Sequence, residues 1–280
     1  MKVYKTIESI RSEILKLKSE GLSIGFVPTM GALHNGHLSL LKQAMAERDI
    51  SVCSIFVNPI QFNNSQDLEK YPRTLDDDLE KLEKAGCDLV FVPSVEEMYP
   101  DRVTDSYDFG PLERVMEGEH RPGHFNGVAV VVSRLFEICL PDKAYFGEKD
   151  FQQYMIIKAL VQQKKMPVEI IGYPIIREHD GLAMSSRNVR LTREERALAP
   201  EIFKTLSMIK EKAGKNTVEE VLDLAKNHLN ALPGMKVEYL LMADENTLST
   251  IYDWQEANHI RVFIATFLGN VRLIDNLKIK

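Results

Sequence analysis

Two histidines flank a glycine between Val27 and His37, where a strand-like run is followed by helical spacing. The N-terminus of a helix presents unpaired N–H groups and partial positive charge, and it is therefore suited to phosphate. His34 and His37 can both donate hydrogen bonds to phosphate oxygens, and Gly36 lets the backbone approach a ligand without an intervening Cβ. This segment predicts a phosphate-binding site at the start of a helix.

Two other interpretations of these histidines stay open. A single histidine near a turn is usually structural. The spacing of His34 and His37 can also bind zinc, with His120 and His124 as further ligands. Because no cysteine or carboxylate lies nearby in the sequence, we assign no metal ligand in the protein.

A second polar segment, Gly181–Asn188, contains two hydroxyls and a guanidinium, those of Ser185, Ser186 and Arg187. Arginine neutralises phosphate charge, and hydroxyls or backbone amides bind phosphate oxygens. A Ser-Ser-Arg tripeptide alone is usually a solvated turn. Its position just after the last strand of a predicted parallel sheet favours a mobile loop that wraps a triphosphate.

The elements that must position these residues alternate between strand and helix over the first two thirds of the chain. Their apolar runs are typical of strands covered on both faces, and repeated strand–helix–strand units imply a parallel sheet with right-handed crossovers. We predict helices over 6–20, 37–48, 74–85, 126–139, 150–164, 192–212 and 217–231, and strands over 22–29, 50–57, 87–92, 144–146, 167–172, 237–242 and 260–267.

Charged amphipathic helices follow the segment 177–181, and Thr192 with Glu195 predicts a capping box. We therefore place a domain boundary near residue 178. The predicted fold class is α/β. It consists of a Rossmann-like parallel-sheet domain over 1–178 that binds the ligands, and a smaller C-terminal α+β domain over 179–280 that acts as a lid.

Composition excludes several classes of protein. The 35 basic and 41 acidic residues give a net charge of −6, which argues against a protein that neutralises many nucleic-acid phosphates. No apolar run reaches the roughly 18 residues of a membrane span, and the N-terminal residues lack the apolar core of a signal peptide. Cys53, Cys87 and Cys139 predict buried thiols in a reducing compartment. We expect a cytoplasmic enzyme without nucleic-acid or membrane partners.

The pairing of His34-Asn35-Gly36-His37 with Met184-Ser185-Ser186-Arg187 resembles the nucleotidyltransferase and class I aminoacyl-tRNA synthetase superfamily. From about residue 24 to 276 the chain also resembles the pantothenate synthetase family. The motifs that carry this resemblance occur in the family's order: Phe56-Val57-Asn58-Pro59-Ile60-Gln61-Phe62, Tyr71-Pro72-Arg73, Arg121-Pro122-Gly123-His124-Phe125, Phe146-Gly147-Glu148-Lys149-Asp150-Phe151-Gln152-Gln153 and Arg272-Leu273-Ile274-Asp275-Asn276.

This resemblance implies the condensation of pantoate with β-alanine, driven by ATP. The pantoate carboxylate would attack the α-phosphorus to give pantoyl adenylate and pyrophosphate, and the amine of β-alanine would then expel AMP. It further implies ATP as a substrate with Mg²⁺, the three small molecules as partners, and a homodimer.

The resemblance also implies roles for individual residues. The groups expected to meet charge on the phosphates, and thus to be catalytic, are His34, His37, Lys149, Ser185, Ser186 and Arg187. The expected ATP site comprises Met30, Gly31, Ala32, Leu33, His34, Asn35, Gly36, His37, Gly147, Glu148, Lys149, Asp150, Ile176, Met184, Ser185, Ser186 and Arg187, with Asp150 on the ribose hydroxyls. Gln61, Gln153 and Asn58 are expected to bind pantoate, and Gln61 also β-alanine.

Two features leave alternatives open. The segment Asn63–Asp67 departs from the family's usual Gly-Pro-Asn-Glu-Asp-like stretch, so the conformation of that loop is not predicted. Asp76, Asp77 and Asp78 suit an outer Mg²⁺ ligand or an acidic helix N-terminus equally well. The rival functions are an adenylyltransferase that acts on a phosphorylated acceptor and a regulatory nucleotide-binding module.

Overall fold

The computed structural model describes residues Met1–Lys280, which fold into two compact units. The first unit comprises Met1–Glu148 and Gln152–Pro174, and the second comprises Lys149–Phe151 and Ile175–Lys280. The second unit therefore begins a few residues before residue 178 and also includes a short segment from the middle of the chain. No helix combines the length and the apolar character that a membrane crossing requires.

The first unit contains the predicted parallel sheet, with six strands in the order β1-β4-β3-β2-β5-β6. The strands are β1 (Lys2–Tyr4), β2 (Ile24–Thr29), β3 (Ile50–Ile55), β4 (Leu89–Phe91), β5 (Lys143–Gly147) and β6 (Glu169–Tyr173). From β2 the chain first adds strands on one side and then returns to add β5 and β6 on the other. The carboxyl ends of β2 and β5 therefore flank the point where strand order reverses, which is where open α/β sheets bind ligands.

Helices cover both faces of this sheet, as the apolar runs predicted. They are α1 (Ile7–Ser19), α2 (Asn35–Glu47), α3 (Ser65–Glu69), α4 (Leu75–Ala85), α5 (Val95–Met98), α6 (Met116–His120), α7 (His124–Cys139) and α8 (Phe151–Lys164). Successive residues of β3 point to opposite faces. Val52 belongs to the core beneath α1 and α7, whereas Cys53 packs with Leu41 of α2 and Leu82 of α4. The three cysteines are buried and free, as predicted.

In the second unit, three helices pack against an antiparallel sheet of three strands. The helices are α9 (Arg193–Leu198), α10 (Glu201–Lys212) and α11 (Val218–Asn230), and the strands are β7 (Met235–Asp244), β8 (Ile260–Leu268) and β9 (Val271–Lys278). The prediction of one helix over 192–212 is wrong, because α9 ends before Pro200, whose nitrogen carries no hydrogen for a helical bond. The predicted capping box of α9 is present at Thr192 and Glu195.

Candidate active site

The loop after β2 bends through two residues in the left-handed region, Gly31 at φ +79° and Ala32 at φ +49°. At Gly31 a glycine is required for space as well as for conformation. A Cβ there would lie 3.0 Å from the Asp78 carboxylate and 3.2 Å from Ile55. The missing side chain lets the loop lie directly against α4.

Asp78 of α4 holds this loop by its backbone. One carboxylate oxygen accepts from the N–H of Ala32 at 2.8 Å, and the other accepts from the N–H of Leu33 at 2.7 Å. Asp78 is fully buried, whereas Asp76 and Asp77 on the same helical turn are exposed. The three carboxylates therefore do not face one point, and no group of three or more His, Cys, Asp or Glu side chains is arranged to hold a metal ion.

His34 and His37 form a capping box at the start of α2. The Nδ1 atom of His34 accepts from the N–H of Gly36 at 3.1 Å, and Nδ1 of His37 accepts from the N–H of His34 at 3.3 Å. A neutral ring that accepts through Nδ1 carries its hydrogen on Nε2. Each histidine therefore caps the helix with one nitrogen and has the other as a donor, and the two ring centroids lie 4.1 Å apart.

Two buried amides lie on the turn that follows β3. The Nδ2 atom of Asn58 donates to Oε1 of Gln61 and to the carbonyl oxygen of Gly127, each at 3.1 Å. The Nε2 atom of Gln61 lies 3.1 Å from the sulfur of Met30. A thioether is a weak acceptor, so Gln61 retains donor capacity for a ligand. The structure thus brings Met30 of the first motif together with Gln61 and Asn58.

Helix α7 fixes the backbone of this turn. A Cβ on Gly127 would lie 2.5 Å from the carbonyl oxygen of Ile60, so only glycine permits this packing. The Nδ1 atom of His124 lies 2.9 Å from the carbonyl oxygen of Gln61, and the nitrogen must therefore be the donor. His124 is thus a positioning residue for Gln61, a role that the sequence did not indicate.

Gly147, Gln152 and Gln153 of the motif Phe146–Gln153 belong to the first unit. Gly147 ends β5, next to β2 in the sheet, and Gln153 is partly buried in the first turn of α8. Gln152 is buried and donates to the carbonyl oxygens of Leu112 and Val115 at 2.7 and 2.8 Å. Gln152 therefore supports the preceding loop.

In the second unit, β8 and β9 hold the segment that carries Lys149 and Asp150. The Nδ2 atom of Asn276 donates to the carbonyl oxygen of Lys149 at 3.0 Å, and Arg261 donates to Oδ1 of Asn276 at 2.6 Å. The Arg261 guanidinium also lies 4.1 Å from the ring centroid of Phe151. The C-terminal motif therefore fixes the backbone of Lys149.

The Ser-Ser-Arg loop is anchored within the second unit at both ends. The N–H of Met184 donates to the carbonyl oxygen of Ile176 at 3.0 Å, and Nδ2 of Asn188 donates to the carbonyl oxygen of Ala183 at 3.1 Å. Ser185 caps the 3-10 turn Ser186–Arg190 by accepting from the N–H of Arg187 at 3.2 Å. The Ser185 hydroxyl therefore accepts one backbone hydrogen bond and still has its own hydrogen to donate.

An ion pair with a buried carboxylate lies close to this loop in the chain. Arg177 makes two bonds to the Asp275 carboxylate, at 2.6 and 2.9 Å, and donates to the carbonyl oxygen of Gly181 at 3.1 Å. Burial raises the pKa of Asp275, and the Arg177 guanidinium opposes that shift. The pair ties Arg177, which precedes the Ser-Ser-Arg loop, to β9.

Comparison with known proteins gives one consistent result. The family model described as pantoate-beta-alanine ligase matches residues 2–278. The protein of Porphyromonas gingivalis W83 named pantothenate synthetase is 52% identical over 278 residues, which are 99% of this chain and 99% of that protein.

Solved structures agree with this sequence comparison. The crystal structure of pantothenate synthetase from Thermus thermophilus superposes with a TM-score of 0.93 at 42% identity, covering 100% of this chain and 99% of that one. The pantoate-beta-alanine ligase of Francisella tularensis, complexed with β-γ ATP and β-alanine, has a TM-score of 0.83 at 37% identity, with 99% and 97% covered.

Proposed function

We propose, from the premise that this chain belongs to the pantoate-beta-alanine ligase family of amide-forming enzymes, that it works through a pantoyl adenylate. The pantoate carboxylate attacks the α-phosphorus of ATP and pyrophosphate leaves. The amine of β-alanine then attacks the activated carbonyl carbon, and AMP leaves. The observation that carries this proposal is the contact of Met30 with Gln61, since it brings the loop that leads to the proposed phosphate-binding start of α2 next to the neutral amide that we propose for the acid.

The start of α2 suits the first step. Charge develops on the α-phosphate and on the departing pyrophosphate, and the Nε2–H groups of His34 and His37 are donors already oriented by their Nδ1 bonds. The N-terminal end of the helix adds partial positive charge. Donors held in place before the reaction stabilise the transition state without reorganising. We therefore propose both histidines as catalytic phosphate ligands and Met30–His37 as part of the ATP site.

The buried amides suit the acid substrate. A cationic side chain would pair with the pantoate carboxylate and reduce its nucleophilicity, whereas Gln61 and Asn58 orient pantoate without charge. Gln153 in the first turn of α8 is proposed as the second pantoate amide. The β-alanine bound in the Francisella tularensis relative supports a place for β-alanine here, which we assign to Gln61.

For charged and polar residues of the second unit we propose roles in ATP binding that follow the family resemblance. Lys149, Ser185, Ser186 and Arg187 would neutralise and bind the phosphates, and Asp150 would accept from the ribose hydroxyls. Gly147, Glu148, Ile176 and Met184 complete the proposed nucleotide site. The β-γ ATP bound by the relative from Francisella tularensis supports ATP as the substrate.

Mg²⁺ is proposed as the companion of ATP. The protein offers no cluster of three or more ligating side chains, and both oxygens of Asp78 accept from backbone N–H groups. Mg²⁺ commonly keeps several waters and binds substrate phosphates. We therefore propose that Mg²⁺, when bound, would be held mainly by the phosphates and would reduce their negative charge.

The intermediate can be tested by isotope exchange. With pantoate present and β-alanine absent, the enzyme should exchange labelled pyrophosphate into ATP, because the first step needs no amine. Omission of pantoate is the matched control and should abolish exchange. Exchange that requires β-alanine would contradict the stepwise route, and exchange without any acid would contradict pantoate as the first substrate.

The Ser-Ser-Arg loop should respond to nucleotide. We expect slower amide hydrogen exchange over 184–188 when a non-hydrolysable ATP analogue is added, because binding orders a loop that must open to release pyrophosphate. The peptide of α11 should exchange at the same rate in both states. Equal protection of 184–188 with and without the analogue would contradict the proposed lid role of the C-terminal domain.

We also propose a cytoplasmic location, which the three buried free cysteines support. The homodimer implied by the resemblance stays a prediction, for which sedimentation equilibrium is the measurement.

A further inference from the structure

A hydrogen-bond chain leads from Tyr99 to the proposed pantoate site. Tyr99 directly follows α5, and its hydroxyl donates to Oδ1 of Asn58 at 2.9 Å. Burial raises the pKa of Tyr99 well above its usual value, so the phenol stays protonated and remains a donor. Asn58 links Tyr99 to Gln61, because its Nδ2 donates to Oε1 of Gln61.

The partners of Asn58 determine the orientation of its amide. Its oxygen faces the Tyr99 hydroxyl, and its nitrogen faces the carbonyl oxygen of Gly127 and Oε1 of Gln61. Because Gln61 accepts through Oε1, its Nε2 is the atom directed toward Met30 and the site. His124 separately fixes the backbone carbonyl of Gln61. The side-chain amide is therefore the part of Gln61 whose direction depends on Asn58.

We propose that Tyr99 is a positioning residue that determines, through Asn58, which atom of Gln61 faces the acid substrate. This inference rests on the proposed binding of pantoate at Gln61. Loss of the Tyr99 hydroxyl leaves Oδ1 of Asn58 buried without a donor, which is costly. The Asn58 amide is then held through its nitrogen alone, and the bond from Nδ2 to Oε1 of Gln61, which keeps Nε2 of Gln61 directed at the ligand, is weakened.

This polarity defines what Gln61 recognises. With Nε2 directed at the ligand, Gln61 binds an acceptor oxygen, either a hydroxyl lone pair or a carboxylate. A reversed Gln61 would place its own oxygen against that carboxylate, and two acceptors repel. Tyr99 thus contributes to the selection of a hydroxy acid without contacting it.

The first test is Tyr99→Phe, which keeps the ring and removes only the hydroxyl. The KM for pantoate should rise about tenfold, in line with the loss of one well-oriented hydrogen bond. The KM for ATP and the kcat should stay close to the parent values. Tyr145→Phe is the matched control, because Tyr145 is fully buried and its hydroxyl bonds to Glu47 at 3.1 Å. This control should leave the KM for pantoate unchanged.

The second test is a double-mutant cycle with Gln61→Ala. If Tyr99 acts through Gln61, adding Tyr99→Phe to Gln61→Ala should not raise the KM for pantoate any further. A full multiplicative effect in the double variant, or a parental KM in Tyr99→Phe, would overturn the inference. All assays are run well below the melting temperature of each variant, so that an unfolded fraction does not enter the KM.

Pyrophosphate exchange by the wild-type enzyme distinguishes failure of the proposed function from failure of the proposed role of Tyr99. Absence of pantoate-dependent pyrophosphate exchange in the wild type would refute the proposed function and the role of Tyr99 with it. Normal exchange in the wild type, with no coupling between Tyr99 and Gln61, would refute only the positioning role.

Discussion

Replacement of His34 or His37 by alanine should slow adenylate formation by about 10²–10³, the usual cost of losing one preorganised donor to developing charge. Each histidine accepts through Nδ1 from a backbone N–H at the start of α2, so its ring hydrogen lies on Nε2, which is the proposed donor to phosphate. Pantoate affinity should change little, since the acid is proposed to bind Gln61 and Gln153. Single-turnover formation of pantoyl adenylate, followed by rapid quench, measures the rate.

The capping role of His34 calls for a second variant. Alanine removes the cap as well as the donor, and loss of a side-chain cap costs about 1 kcal/mol of stability. Asparagine is a preferred cap residue, so His34→Asn should restore the melting temperature without restoring the longer reach of the imidazole. The expected result is a stable variant that still forms the adenylate slowly. Recovery of the rate in His34→Asn would assign the effect to capping and refute the catalytic role.

The first unit could be predicted largely from sequence because its strands are covered on both faces and leave continuous apolar runs. Two strands, β1 of the first unit and β9 of the second, do not show such an apolar run. β1 has three residues, mostly exposed, and is defined by its pairing with β4. In β9 the buried polar residues Asp275 and Asn276 interrupt the apolar alternation, because they face Arg177 and the backbone of Lys149.

In the candidate site, too, some placements could be predicted from the sequence and others could not. The histidines and the start of α2 lie within one short segment, so local chemistry indicated their place at a helix start, although not the capping bonds of their Nδ1 atoms. Asp78 contacts Ala32 across 46 residues of sequence, and Tyr99 contacts Asn58 across 41. A local sequence pattern does not predict the partner in such a long-range contact. One signal was present for Asp78. It falls between Leu75 and Leu82 at helical spacing, where an apolar residue is expected, and a carboxylate there indicates a specific buried partner.

Replacement of Asp78 by asparagine is expected to raise the KM for ATP and slow adenylation by a combined factor of about 10², since a shift of about 1 Å in a positioning element has that effect. The variant keeps the size of the side chain but supplies one acceptor oxygen for two N–H groups. Its NH₂ would face the N–H of Ala32 or Leu33, where two donors repel. The loop between β2 and α2 must then move away from α4.

Asp88→Asn is the matched control for this prediction. The Asp88 carboxylate also accepts from a backbone N–H, that of Ser51 at 2.8 Å, but at the start of β3 and thus at the opposite edge of the sheet from the site. Both variants should have a lower free energy of unfolding. For Asp78→Asn the loss should be about 2 kcal/mol, because the hydrogen bonds of Asp78 are buried and charge-assisted. Only Asp78→Asn should raise the KM for ATP and slow adenylation, and its KM for pantoate should stay near the parent value. Equal kinetic losses in the two variants would mean that Asp78 contributes stability alone, and the loop would then need another explanation for its fixed position over the start of α2.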